Sequence, residues 1–104
     1  MDIMDFNMDF FSLKDKNAIV TGGNSGLGQA FCVALAKAGA NVMAVSILDD
    51  NGETRKWVED SGSAYKYLHC DITAKGECKR AVDACVTAWK SIDILINCAG
   101  ICIN

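Results

Sequence analysis

The sequence predicts an α/β fold: a three-layer, doubly wound parallel sheet of four strands in the order 3-2-1-4, incomplete at one edge. Three observations predict it. Short apolar runs alternate with helical segments from Lys16 onward, in the order βαβαβαβ. The runs are apolar throughout, as in strands covered on both faces. Glycines join the first run directly to a helix, and strands connected by helices run parallel with right-handed crossovers.

The first half of the chain contains two strands and the helix between them. Residues 17–21 are a short apolar run that ends in glycines, which predicts a buried strand. Residues 27–38 are rich in Ala and Leu and predict a helix, which Gly39 closes as its C-cap. Residues 41–45 are a second apolar run and predict the second strand.

The next two elements predict a second helix and a third strand. Residues 51–60 read as a helix that turns Trp57 and Val58 inward and ends at Gly62. Residues 64–70 then form the third strand.

Thr73 is predicted to cap a third helix, and residues 92–97 to form the fourth strand. The apolar face expected for this helix repeats at helical spacing and consists of Cys78, Ala81, Val82, Cys85 and Trp89.

Composition excludes several classes of protein. The chain has 104 residues, which predicts one domain: a leader over residues 1–14 and a folded unit over residues 15–104. The net charge is −3 and no basic run occurs, which argues against nucleic acid or an anionic membrane as a partner. No apolar stretch reaches the ~20 residues that a membrane span needs. Residues 1–13 carry Asp rather than Lys or Arg and contain no continuous apolar block, so we expect a cytoplasmic protein without a signal peptide.

Six cysteines occur without CxxC spacing, and His69 is the only histidine in the sequence. A zinc site needs paired ligands at short spacing, so we expect no metal. The cysteines are predicted to be reduced, and most of them to be small buried hydrophobes.

The segment between the first strand and the first helix reads Thr-Gly-Gly-Asn-Ser-Gly-Leu-Gly from Thr21. Gly22 permits a tight turn, Gly26 lets a pyrophosphate approach the main chain, and Gly28 lets the helix pack close to the strand. The helix N-terminus offers free N–H groups and partial positive charge to phosphates. The alternative is an ordinary strand–helix turn that happens to contain glycine, but a strand, glycines and a helix in succession favour a phosphate site.

Three ordered motifs carry a resemblance to a known family. They are the TGxxxGxG turn, Asp71 after the third strand, and Asn97-Cys98-Ala99-Gly100 after the fourth, where Cys98 replaces the second Asn of an NNAG motif. The chain resembles the short-chain dehydrogenase/reductase family from about residue 10 to Asn104. The local sequence around the glycine turn is most similar to the bacterial gluconate or 2-dehydro-3-deoxygluconate 5-dehydrogenase branch. The resemblance implies a Rossmann-type fold, a nicotinamide dinucleotide as ligand, and a full-length parent that is a homotetramer.

The resemblance also implies a role for each cofactor-binding residue. Those lining the pyrophosphate would be Gly22, Gly26, Leu27 and Gly28. Those on the adenosine-ribose side would be Asn24 and Ser25. Those beside the adenine would be Asp71 and Ile72. Those along the cofactor and the central strand would be Asn97, Ala99 and Gly100. Two alternatives stay open: Asp71 could cap the third helix, and Asn97 could be only a strand-to-loop hydrogen bonder.

The end of the second strand decides between NAD and NADP. An acidic residue there binds the ribose hydroxyls and repels a 2′-phosphate, whereas Arg accepts the phosphate. The family's acidic position falls on Ser46, and the position before Gly26 holds Ser25 rather than a basic residue. Without a basic partner for a 2′-phosphate, the sequence favours NAD and leaves NADP open.

The resemblance implies catalysis by a Ser and a Tyr-xxx-Lys pair, and no residue of this chain matches those positions. Tyr65 and Tyr67 are followed four residues later by His69 and Asp71, and neither is a Lys. Two function classes therefore stay open. The chain is the NAD(P)-binding front of an oxidoreductase that stops before the catalytic region, or a catalytically dead fragment that binds only a nucleotide or a protein partner. An uncovered fourth strand would promote self-association.

Overall fold

The computed structural model describes residues 12–24 and 26–98. Strands and helices alternate along this part of the chain. The elements are β1 Asn17–Thr21, α1 Gly26–Lys37, β2 Asn41–Ser46, α2 Glu53–Asp60, β3 Tyr65–His69, α3 Glu77–Trp89 and β4 Ile94–Asn97. All strand pairs are parallel and the order is β3-β2-β1-β4, which confirms the predicted topology. Residues 1–11 of the predicted leader lie outside the described residues.

The two central strands, β1 and β2, are buried almost throughout, and their side chains divide the core between the two faces of the sheet. On one face, Val42 and Ala44 join a cluster that contains buried residues of α1 and α2. On the other face, Met43 and Val45 join a cluster that contains buried residues of α3. This alternation is the two-residue period of a strand covered on both sides.

The predicted inward face of the second helix is wrong at one residue. Val58 is fully buried as expected, but the Trp57 side chain is 43% exposed, so its predicted inward position is wrong. The buried stripe of this helix instead passes through Thr54 and Val58, which lie four residues apart on one helical face. The helix begins at Glu53, after Gly52 in the left-handed conformation, rather than at Asn51.

The third helix begins later than predicted, and Thr73 does not cap it. Its N-cap is Gly76, with a φ of 82°, and Thr73 instead donates its hydroxyl to the Asp71 carboxylate. Ala81 and Cys85 are buried as expected. Cys78 and Val82 are exposed, so the predicted apolar face is narrower than the sequence pattern indicated.

The described cysteines differ in burial. Those that are buried, as expected, are Cys32, Cys70 and Cys85. Cys78 is exposed and Cys98 half-buried, and the described cysteines are all free thiols. Within residues 12–24 and 26–98, no group of three or more His, Cys, Asp or Glu side chains could hold a metal ion. No helix in the same ranges is long and apolar enough to cross a membrane.

Candidate functional site

The glycine turn joins the end of β1 to the start of α1. Gly22 and Gly26 adopt left-handed φ values of 69° and 54°, a conformation that side chains disfavour. The Gly22 N–H donates to the Val45 carbonyl at 2.6 Å, which ties the turn to β2. A Cβ at Gly28 would overlap the carbonyl group of Gly22, whereas one at Gly26 would meet nothing within 4 Å. The helix therefore packs directly on the turn, and the Gly26 backbone stays open to a ligand.

A cleft of about 300 Å³ lies beside this turn, at the carboxyl ends of β1, β2 and β3. Its lining residues are Gly22, Val45, Ser46, Ile47, Leu48, Cys70, Asp71, Ile72 and Thr73. Open α/β sheets bind ligands at this end of their strands. A larger and more open groove of about 720 Å³ lies between α3 and β3, and it contains no part of the glycine turn.

The cleft brings together four of the residues that the sequence singled out, which are Gly22, Ser46, Asp71 and Ile72. Five others lie outside its lining. Gly26, Leu27 and Gly28 stand at the start of α1, where Leu27 is 59% exposed and Gly28 is buried. Asn24 is buried, and Asn97 is exposed at the end of β4. The remaining three, Ser25, Ala99 and Gly100, lie outside the described residues.

Ser46 ends β2 with a buried side chain that is already engaged. Its Oγ accepts a hydrogen bond from the Leu48 N–H at 3.0 Å, which turns the chain sharply after the strand. The hydroxyl keeps its own proton for donation. Ser46 thus shapes the loop that follows β2 as well as lining the cleft.

Asp71 is exposed and accepts two hydrogen bonds from Thr73, from its N–H at 2.9 Å and its hydroxyl at 2.6 Å. These bonds stabilise the carboxylate and lower the pKa of Asp71 below its ordinary value. The Ala74 N–H donates to the Asp71 carbonyl, which closes a turn over residues 71–74. Because α3 begins only at Glu77, Asp71 caps this turn and not the third helix. An ionised carboxylate at the cleft is a pure acceptor, suited to an amino group.

The side chain of Asn97 joins the ends of two strands. The Thr21 hydroxyl donates to Asn97 Oδ1 at 2.9 Å, and the two residues are register partners across β1 and β4. Asn97 therefore forms a hydrogen bond between two strand ends, and its contact with the cofactor stays a prediction.

Two side chains behind the glycine turn, those of Cys32 and Thr54, have a role that sequence reasoning missed. The Gly23 carbonyl accepts hydrogen bonds from the Cys32 thiol at 3.4 Å and the Thr54 hydroxyl at 3.3 Å. A Cβ at Gly23 would lie 2.8 Å from the Cβ of Ala44 and 2.9 Å from the Cys32 sulfur. Burial raises the pKa of Cys32 to about 12, so its thiol stays a donor at neutral pH. The apolar pattern gave a signal for Cys32 but none for the hydroxyl of Thr54.

Side chains from β3 hold the β2–α2 loop, which we define as residues 47–52. Tyr67 donates its hydroxyl to the carbonyls of Ser46 and Leu48, and the His69 ring contacts the Ile47 carbonyl at 3.0 Å. Sequence reasoning missed both residues. The signal available was the strand alternation, which places Tyr67 and His69 on one face of β3 as it approaches the end of β2.

Comparisons with known proteins agree with this geometry. A family model described as short chain dehydrogenase matches residues 16–104. The chain is 55% identical over 97 residues to the uncharacterized oxidoreductase YgcW of Escherichia coli (strain K12), covering 93% of this chain and 37% of that protein. It is 39% identical over 98 residues to the 2-dehydro-3-deoxy-D-gluconate 5-dehydrogenase of Bacillus subtilis (strain 168), covering 94% and 38%.

A solved structure of 7α-hydroxysteroid dehydrogenase, complexed with NADH and 7-oxo glycochenodeoxycholic acid, superposes with a TM-score of 0.80 at 31% identity. The match covers 86% of this chain and 36% of that one. The chain thus spans little more than a third of the length of these relatives. Because the family model matches nearly the whole chain, and does so across the glycine turn and the cleft, the chain belongs to the short-chain dehydrogenase family.

Proposed function

We propose that residues 15–104 form the dinucleotide-binding portion of an oxidoreductase that transfers a hydride between a nicotinamide cofactor and an alcohol or ketone. The observation that carries the proposal is the cleft at the carboxyl ends of β1, β2 and β3, directly beside a left-handed glycine turn that opens α1. The 7α-hydroxysteroid dehydrogenase that shares this fold was solved with NADH, which supports a nicotinamide ligand.

The residues present fit such a cofactor. The first N–H groups of a helix have no partner within it, and at α1 they start beside an open Gly26 backbone, where a pyrophosphate could approach. Ser46 and Asp71 both line the cleft, at the end of β2 and just after β3, where a ribose and an adenine amino group need polar partners. The nicotinamide ring of the bound cofactor would carry the hydride.

We propose NAD as the preferred cofactor rather than NADP. The described lining of the cleft contains Asp71 and neither Lys nor Arg, so nothing there would pair with a 2′-phosphate. Asp49 and Asp50 follow Leu48 of the lining in the β2–α2 loop and carry further negative charge. An additional phosphate would meet like charge without a compensating cation.

The proposed substrate class is a sugar acid, as the resemblance to the 2-dehydro-3-deoxygluconate 5-dehydrogenase branch suggests, and a cytoplasmic homotetramer is the proposed setting of the complete enzyme. The printed sequence offers no Tyr-xxx-Lys pair, because Tyr65 and Tyr67 precede His69 and Asp71 at that spacing. We therefore propose that the 104 residues alone bind the cofactor without turning over a substrate. The same observation favours a second candidate function, a catalytically dead chain that only binds a nucleotide.

The test is titration of the chain with NAD, NADP and ADP-ribose by calorimetry. We expect NAD and ADP-ribose to bind, and NADP to bind at least several-fold more weakly. Gly26→Ala should weaken both NAD and ADP-ribose about tenfold or more, because a methyl group would stand where the pyrophosphate approaches the backbone.

Gly62→Ala is the matched control for that substitution. Gly62 also has a left-handed φ, of 88°, and a Cβ there also meets nothing within 4 Å, but it lies after α2 and outside the cleft. Both variants carry the same kind of backbone strain, so only the position differs. Equal affinity for ADP-ribose in the two variants, or no binding by the wild-type chain, would contradict the proposal.

A further inference from the structure

The β2–α2 loop is held by side chains that reach it from two other elements. The Asn24 amide nitrogen, from the glycine turn, donates to the carbonyls of Leu48 at 3.0 Å and Asp49 at 3.2 Å. Tyr67 and His69, from β3, contact the carbonyls of Ser46, Ile47 and Leu48. Four consecutive carbonyls, from the last residue of β2 onward, thus receive a side-chain contact.

Hydrophobic burial does not hold this loop in place. Ile47 is 61% exposed and Leu48 is 53% exposed, so their side chains contribute little apolar contact. A loop of this kind ordinarily samples several conformations. Its defined shape therefore depends on the hydrogen bonds to its carbonyls, and on the Leu48 N–H that donates to Ser46 Oγ.

The donors on β3 are suited to a fixed role. Burial, with the nearby carboxylates of Asp49 and Asp50, raises the pKa of Tyr67, so its hydroxyl stays protonated and remains a donor. His69 must carry a proton on Nε2 to donate to the Ile47 carbonyl. Asn24 Oδ1 is buried without a partner among the described residues, so the amide acts here through its nitrogen.

We propose that Tyr67 and His69 are positioning residues that hold the β2–α2 loop in the shape that receives the adenosine ribose, before the dinucleotide arrives. The inference rests on the proposed function, since Ser46, Ile47 and Leu48 form one wall of the same cleft. Neither Tyr67 nor His69 lines that cleft, so both act through the loop and not by touching the ligand. Fixing a loop in its bound shape lowers the ordering cost of binding.

Tyr67→Phe tests the proposal, because it keeps the ring and removes only the donor. Tyr65→Phe is the matched control: Tyr65 lies two residues earlier on β3, and its buried hydroxyl has no hydrogen-bond partner among the described residues. Two quantities are measured for each variant, the hydrogen exchange rate of the Leu48 amide and the affinity for ADP-ribose. The first reports the order of the loop without any ligand.

We expect Tyr67→Phe to speed exchange at Leu48 and to weaken ADP-ribose binding, each by roughly threefold to tenfold, the factor that one neutral hydrogen bond supports. Tyr65→Phe should leave both at wild-type values. His69→Ala should act in the same direction as Tyr67→Phe. His69→Gln should recover most of the loss, because the Gln amide can donate to the Ile47 carbonyl as the ring does.

The outcomes separate this inference from the proposed function. If the wild-type chain binds ADP-ribose and Tyr67→Phe binds it equally well, the positioning role is overturned and the proposed function stands. If exchange at Leu48 responds to Tyr67→Phe but no variant binds ADP-ribose, the proposed function fails, and the ribose-positioning role fails with it. If Tyr65→Phe and Tyr67→Phe have equal effects, the loop contacts are not the cause.

Discussion

The two faces of the sheet both carry a buried cluster, but they are covered to different extents at β4. On the face under α1 and α2, the buried cluster extends from Val20 through Cys32 to Val58, and each of these is essentially inaccessible. On the face under α3, Ile19 is 2% exposed, but its register partner on β4, Leu95, is 64% exposed. Two helices cover the first face in the described residues, whereas α3 alone covers the second.

The face under α1 and α2 is the one that supports the glycine turn. Gly23 has no room for a Cβ between Ala44 and Cys32, and its carbonyl is held from α1 and from α2. A turn that must present its backbone to phosphates gains a fixed geometry from such a support. The comparison teaches that the two faces support different parts of the site: the glycine turn is supported from the face under α1 and α2, whereas Val45, Cys70 and Ile72 of the cleft lining belong to or pack against the cluster under α3.

Gly28→Ala is the change expected to disturb the face under α1 and α2 most. A Cβ at this position would overlap the Gly22 carbonyl, which is backbone and cannot rotate away. Alanine favours a helix over glycine by about 0.5–1 kcal/mol, but overpacking costs about 1–3 kcal/mol, and an overlap with fixed backbone lies at the upper end of that range, so the clash dominates. Urea unfolding should show the loss. A Gly28→Ala chain as stable as the wild type would show that the turn can move away from α1.

A matched pair of valines compares a covered position of α2 with an uncovered position of α3. Val58 in α2 is fully buried, and Val82 in α3 is 45% exposed. Val58→Ala should lower the free energy of unfolding by about 2 kcal/mol, from lost burial and the cavity left behind. Val82→Ala should change it by less than about 0.5 kcal/mol. Both sites are helical, so the gain in helix propensity cancels, and equal losses would mean that Val82 is covered as closely as Val58.

The order of the elements could be predicted from the sequence, because strand and helix periods differ and apolar runs mark buried strands. The sequence also identified Gly22, Ser46 and Asp71 as neighbours, since the ends of parallel strands meet at one edge. It could not identify Tyr67 or His69. Their role depends on which loop carbonyls come within reach, and this follows from the register of Ser46 with His69 and not from local pattern.

The errors on the helices have a related cause. A helical pattern defines an apolar stripe, but the neighbouring elements decide how wide a stripe they cover. On α2 only Thr54 and Val58 are covered, so Trp57 at the edge of the stripe stays exposed. On α3 the covered residues are Ala81 and Cys85, and Val82 is left outside for the same reason.

Leu95→Lys probes the sheet face under α3 at the edge strand β4, where we expect the smallest effect on stability. Because the Leu95 side chain is largely exposed, replacing it should change the free energy of unfolding by less than about 0.5 kcal/mol. Its effect should instead be on self-association. In the described residues β4 is an edge of the sheet, and the segment Ile94–Asn97 carries no charged side chain that would discourage pairing with another edge.

Size-exclusion chromatography with light scattering measures that effect, with Ile47→Lys as the control. Ile47 is 61% exposed and receives the same charge, but it lies in the β2–α2 loop, away from β4. We expect the wild-type chain to associate with rising concentration, Leu95→Lys to shift it toward monomer, and Ile47→Lys to leave association unchanged. If both lysine variants act alike, net charge explains the shift. If the wild-type chain is monomeric at every concentration, the exposed Leu95 on β4 does not promote association.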